Sequence, residues 1–221
     1  MKTQLYLVPV LAVTTAVLIR AEILKIRQQS YIFKPISTLL VIAISVLSFL
    51  EPSHSQTYSV GVLVGLLFSF GGDIALLFQE KRKPFMIGLA LFLIAHIVYS
   101  VVFSLFGKFT MWDLLSAVVL AAAGLVFYRL IKPNLGTMKA PVIAYIVIIS
   151  LMVNRAFSTF ASPVVTSTQS WLISAGAVLF YISDVILAAN RFWRSWKYNR
   201  ISLAFYYSGQ LLIALSANFL I

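Results

Sequence analysis

Residues 66 to 78, LLFSFGGDIALLF, put a carboxylate, Asp73, inside an otherwise apolar run. A charged Asp near the middle of a membrane helix costs roughly 2.5–3.5 kcal/mol on insertion scales, so a chain that keeps one there needs a partner or a use for it. Residues 179 to 189, LFYISDVILAA, repeat the arrangement with Asp184. These two are the only acidic residues lying well inside the apolar runs. The spacing predicts that two helices bring both carboxylates to one internal cavity, where they do acid/base work.

The composition around them leaves little choice of class. Of 221 residues, 61% are hydrophobic and 10% charged, against about 25% charged in a soluble domain. The expectation is an all-α integral membrane protein, a single polytopic domain over residues 1–221. The absence of cysteine excludes disulfides, thiolate nucleophiles and iron–sulfur clusters. A net charge of +11 would draw nucleic acid to a soluble protein. Here the basic residues sit in short loops between apolar spans, so membrane lipid is the expected partner and nucleic acid is not.

A bilayer is crossed by about 20 apolar residues. Eight runs come near that length: 4–24, 35–50, 58–79, 85–106, 112–131, 140–160, 170–190 and 201–220. The first resembles a signal peptide, but it has no small-residue cleavage site and reads as a retained helix. Connections one, three, five and seven carry Arg20, Lys25, Arg27, Lys34; Lys81, Arg82, Lys83; Arg129, Lys132, Lys139; and Arg191, Arg194, Lys197, Arg200, which is 14 of the 17 basic residues. The positive-inside rule makes these connections cytoplasmic and puts both termini outside. Asp73 and Asp184 then each stand six residues before the basic end of their runs, at a common depth of roughly 9 Å.

The shared depth points to an internal repeat. Asp73 and Asp184 are 111 residues apart, and Lys34-Pro35 opens the second run much as Lys139-Ala140-Pro141 opens the sixth. A four-plus-four parallel repeat would bring helices three and seven together across its axis. Along helix three, Gly61, Gly65, Ser69, Gly72 and Asp73 fall on one face; helix seven offers Ala177, Tyr181, Asp184 and Ala188, helix four Gly88, Phe92, His96 and Tyr99, and helix eight Tyr206, Tyr207 and Gln210. Together they are expected to wall a polar pocket, with Asn154 and Arg155 farther from the basic end. Taken singly, His96, Gln210 and Asn154 are also ordinary inter-helix hydrogen bonders, and the glycines also fit close helix packing.

No GxSxG, HExxH, P-loop or GxGxxG motif occurs, and His54 and His96 cannot form an i, i+4 metal pair, so neither metal nor cofactor is expected. A Ser–His–Asp assembly of Ser69 or Ser183 with His96 has no motif behind it. What remains is the carboxylate pair, with His96 as a helper. Two carboxyl groups in a low-dielectric cavity cannot both ionise cheaply, so the pair is expected to hold one proton between them. Such a pair suits hydrolysis of an acid-sensitive ether or acetal.

The segments Gly72-Asp73-Ile74-Ala75-Leu76, Ser183-Asp184-Val185-Ile186-Leu187-Ala188, Phe92-Leu93-Ile94-Ala95-His96 and Tyr206-Tyr207-Ser208-Gly209-Gln210 resemble the YhhN-like lysoplasmalogenases, and the likeness runs through the whole chain. The resemblance implies an enzyme that cleaves the vinyl ether of lysoplasmalogens to a fatty aldehyde and a glycerophospho-alcohol, with a lysophospholipid as substrate. It carries Asp73, Asp184 and His96 over as catalytic. Gln210, Tyr99, Tyr207, Ser69, Ser183, Asn154 and Lys34 are the candidates for substrate contact, with Lys34, or Lys81 to Lys83, meeting the phosphate at the membrane surface. Two other classes compete: a small proton-coupled transporter, and a structural membrane protein whose Asp residues bond neighbouring helices.

Overall fold

Within hydrocarbon every backbone N–H and C=O must be bonded inside its own segment, so apolar runs of this length become helices. The computed structural model describes residues 3–50, 55–196 and 199–217. It contains α1 (Leu7–Ile23), α2 (Arg27–Leu47), α3 (Gln56–Leu76), α4 (Arg82–Phe106), α5 (Met111–Ile131), α6 (Lys139–Ser158), α7 (Ser167–Phe192) and α8 (Ser202–Ser216), joined by short connections, several of them with 3-10 turns. The chain is an all-α membrane protein. Among the described residues, seven helices are long and apolar enough to cross a bilayer. The described part of α8 is 15 residues, about 22 Å at the helical rise. Lys2, His54 and Lys197 lie outside the described residues.

Helix starts follow the local sequence. Ser55 accepts from the Tyr58 backbone N–H and Thr166 from that of Gln169, while Thr110 and Asp113 form a capping box at the head of α5; each binds a donor the first turn leaves open. One boundary differs from expectation. Pro35 does not open α2; the helix starts at Arg27 and runs through the proline. Lys34 is thereby carried two turns inside, away from the membrane surface.

Six helices close a ring of neighbours in the order α2, α3, α4, α6, α7, α8, with α1 outside against α2 and α8 and α5 outside against α6. Pairings of the first half recur in the second: α1–α2 with α5–α6, α2–α3 with α6–α7, α3–α4 with α7–α8, and α2–α8 with α6–α4. The tightest pairs meet at glycines. A Cβ on Gly65 would fall 2.3 Å from the Tyr99 ring, and one on Gly176 would fall 2.9 Å from the Gly209 carbonyl oxygen. Gly176 stands 111 positions after Gly65, the same offset as Asp184 from Asp73.

The basic connections meet at one end of the bundle. Arg27 pairs with Glu80 at 2.5 Å, Arg200 with Glu22 at 3.2 Å, and Arg82 donates to Thr137 at 2.6 Å. Asn134 donates to the Phe192 carbonyl at 2.8 Å. These links join the α1–α2, α3–α4, α5–α6 and α7–α8 turns, so one end of the molecule carries most of the positive charge.

The Gly176 contact gives a stability test. Gly176→Ala sets a methyl against the backbone of α8 and is expected to cost about 1–3 kcal/mol, the usual penalty for overpacking. Thermal unfolding in detergent measures it, with Gly136→Ala, which meets nothing within 4 Å but has φ of +52°, expected to lose only about 1 kcal/mol.

Candidate active site

The small-residue face of α3 lets α4 approach and leaves Asp73 pointing into a polar knot between α2, α3 and α8. Asp73 is 2% exposed. Its Oδ2 accepts from Thr38 Oγ1 and from the Tyr206 hydroxyl, both at 2.6 Å. Its Oδ1 lies 3.3 Å from Lys34 Nζ, and that ammonium is itself buried. The knot extends outward: the Tyr207 hydroxyl donates to the Lys34 carbonyl at 3.1 Å, Gln210 Nε2 to the Tyr206 hydroxyl at 3.4 Å, and the Tyr99 hydroxyl to Gln210 Oε1 at 3.0 Å. Ser69, one turn before Asp73, is buried beside Tyr99. Lys34 is therefore a counter-ion in the interior and not the surface phosphate contact expected from the sequence. Pro35 within α2 is the reason.

Asp184 has a different setting. It lines a cleft of about 690 Å³, open space at the mouth included, bounded by residues of α3 to α7, among them Leu76, Phe92, Phe127, Val142 and Tyr181. The Tyr145 hydroxyl donates to Asp184 Oδ2 at 2.5 Å. His96 Nε2 lies 3.8 Å from the same oxygen, too far for a direct hydrogen bond. The histidine is fully buried, its ring 4.6 Å from Phe180 and 5.3 Å from Tyr145, and Nε2 has no hydrogen-bond partner among the described residues. A buried polar atom left in this state is costly, and His96 stands behind Asp184 and Tyr145, not among the residues that line the cleft. No Lys or Arg pairs with Asp184 among the described residues.

The two carboxylates thus do not hold one proton between them, as the sequence led us to expect. No hydrogen bond joins them among the described residues, and Asp73 does not line the cleft. A train of rings runs from one to the other: Tyr206 holds Asp73, Phe180 packs edge-on to Tyr206 at 5.2 Å, and His96 lies against Phe180. Both carboxylates occupy matching junctions, α2–α3–α8 for Asp73 and α6–α7–α4 for Asp184. The first junction is closed by a lysine; the second is open to a cleft.

Of the remaining candidates, Tyr99, Tyr207, Gln210 and Ser69 gather around Asp73 and none lines the cleft. Ser183, next to Asp184 in sequence, is buried and does not line the cleft either. Asn154 belongs elsewhere: it donates to the Asp113 carbonyl at 2.8 Å, next to the Arg155–Asp113 ion pair at 2.9 Å, and ties α6 to the head of α5. Its distance from the other candidates follows from its place at the opposite end of α6 from Tyr145. Sequence reasoning missed Tyr145 and Thr38, the hydroxyls that bind the two carboxylates. The signal for Tyr145 was slight, one hydroxyl-bearing ring in the aliphatic stretch APVIAYIVII.

Comparison with protein families matches residues 29–217 to the YhhN family. Among curated proteins, the chain is 33% identical over 161 residues to "Lysoplasmalogenase TMEM86A" of Bos taurus, covering 71% of this chain and 64% of that protein. It is 33% identical over 171 residues to "Lysoplasmalogenase TMEM86B" of Mus musculus, covering 75% and 66%. It is 28% identical over 193 residues to "Uncharacterized membrane protein YhhN" of Escherichia coli O157:H7, covering 85% and 86%. The match thus spans less than two thirds of the bovine protein's length. No solved structure matches.

The two carboxylate settings separate by mutation. Breaking a buried ion pair from one side costs about 3–5 kcal/mol, because the other charge is left alone. Asp73→Asn is expected to lose stability on that scale and Asp73→Asn with Lys34→Met to regain most of it. Asp184→Asn, with no cation to strand, is expected to leave the unfolding midpoint in detergent within a few degrees of wild type.

Proposed function

From its membership of the YhhN family, to which this chain belongs, we propose that it is a lysoplasmalogenase-like hydrolase that opens the vinyl ether bond of a 1-alkenyl lysophospholipid at Asp184. The observation that carries the reading is the apolar cleft with one carboxylate in its wall, held by a tyrosine hydroxyl, with a histidine nitrogen 3.8 Å away that has no hydrogen-bond partner among the described residues. A vinyl ether hydrolyses through slow proton transfer to its β-carbon, which leaves an oxocarbenium ion. A carboxyl group delivering that proton becomes, in the same step, an anion beside the cation it has made.

The residues divide the work as follows. The alkenyl chain lies along the apolar wall. Asp184 gives its proton to the β-carbon, and the Tyr145 hydroxyl, already donating to Oδ2, stabilises the carboxylate that forms. A water held between Oδ2 and His96 Nε2 adds to the oxocarbenium carbon, its proton returning to the Asp184–His96 pair. The resulting hemiacetal collapses to fatty aldehyde and glycerophospho-alcohol, so one water is consumed and the acid is regenerated. Asp73, neutralised by Lys34, fixes α2, α3 and α8 around the rings that back His96; it is a positioning residue. The basic end of the bundle faces the cytoplasm by the positive-inside rule, which brings substrate from the inner leaflet.

The test is incubation of purified protein in detergent with a 1-alkenyl lysophospholipid, its 1-alkyl ether and its 1-acyl ester, with aldehyde release followed. Only the alkenyl substrate is expected to react, and in D2O the aldehyde should carry one deuterium on the carbon next to the carbonyl. An aldehyde without that deuterium, or cleavage of the ester alone, overturns the mechanism. Asp184→Asn should lower kcat about 10²–10⁴-fold, the usual worth of a positioned general acid.

A further inference from the structure

The cleft has a charged end. Arg191 lies seven residues beyond Asp184 on α7, and both side chains line the cleft. Seven residues return to nearly the same face of a helix, about 10 Å farther along its axis. The guanidinium carbon of Arg191 is 4.6 Å from the centre of the Phe85 ring, and its Nη1 donates to the Gln79 carbonyl at 3.3 Å. Phe85 is held in turn by an edge-on contact with Phe192 at 6.2 Å. Arg27, Lys34, Arg155 and Arg200 each have a carboxylate partner, whereas none pairs with Arg191 among the described residues. A guanidinium is thus held by a ring face and a backbone carbonyl, with donors left over, where an apolar cleft meets the basic end of the bundle.

We propose that Arg191 binds the phosphate of the substrate and so sets the depth at which the alkenyl bond meets Asp184. This rests on the reading that the cleft takes a lysophospholipid. The forked donors of a guanidinium suit phosphate oxygens, and the flat face resting on Phe85 leaves the edge available. The separation fits the ligand. Seven bonds lie between the phosphorus of such a lipid and the β-carbon of its vinyl ether, roughly 8 Å at ordinary bond lengths, close to the axial spacing of Arg191 and Asp184. With the phosphate fixed, a longer chain extends farther up the apolar wall without moving the reacting carbon. The head alcohol lies outside the contact, so choline and ethanolamine lipids are accepted alike, while a neutral alkenylglycerol lacks the anchor.

Calorimetric binding to the full chain in nanodiscs tests this with two uncleavable ligands of one chain length, a 1-alkyl lysophosphatidylcholine and the matching 1-alkylglycerol, alongside hydrolysis of their 1-alkenyl counterparts. Wild type is expected to bind the phosphate ligand at least about 10-fold more tightly, the scale of hydrogen bonds to a charged group. Arg191→Gln should abolish that preference without weakening alkylglycerol binding, and should raise KM for the alkenyl lysolipid with kcat little changed. Arg191→Lys should keep part of the preference. Arg194→Gln, exposed in the same connection, should change neither ligand. An Arg191→Gln protein that keeps the preference, or loses both ligands equally, overturns the anchor, as does a wild type that binds neither. A wild type that binds the alkyl lysolipid through Arg191 but releases no aldehyde overturns the proposed reaction and leaves the anchor standing.

Discussion

A charge buried away from water must be compensated, and the ways this bundle compensates its carboxylates organise the rest of it. Desolvating an ion costs several kcal/mol, which a nearby opposite charge and well-aimed hydrogen bonds repay only when geometry is good. Asp113 has Arg155, and Asp73 has Lys34 with two hydroxyls. Asp184 has a hydroxyl and, at 3.8 Å, an imidazole nitrogen. The carboxylate without a lysine or arginine is also the one that lines the cleft. A proton can serve it where the others are served by a cation, and this is the state in which a carboxyl group acts as an acid.

The packing that makes the two junctions is similar and its outcome is not. Gly65 against Tyr99 and Gly176 against Ile213 bring α3 to α4 and α7 to α8 at close range. Each close pair then carries its carboxylate to a third helix, α8 for Asp73 and α4 for Asp184. In the first junction Lys34 and the tyrosines of α8 fill the space, and the side chains knit into a rigid polar core. In the second the facing residues are mostly aliphatic or aromatic, and a cleft opens between them. Asymmetry between two like junctions leaves one carboxylate locked in a polar core and the other facing a cleft.

An apolar cleft with one acid suits a reaction whose slow step is protonation of carbon. In such a setting dipoles around a developing cation act at low dielectric. The surplus of positive charge at one end draws anionic lipid to the same mouth. Arg191 and Asp184 line the same cleft from one face of α7.

The amino-acid sequence determined by itself that this is a helical membrane protein, where its helices run to within a few residues in most cases, which connections share the basic end, and that Asp73 and Asp184 are the carboxylates to explain. Those features follow from hydropathy and charge along the chain, which are local. The tertiary structure alone decided who meets whom. Lys34 reads as a surface residue until α2 is seen to run through Pro35; Arg191 reads as a topology signal, and Tyr145 goes unremarked, until α6 and α7 meet at the cleft. Helical periodicity shows which residues share a face, but the lateral order of helices sets what that face meets. That order comes from glycine contacts and side-chain packing between segments far apart in the chain.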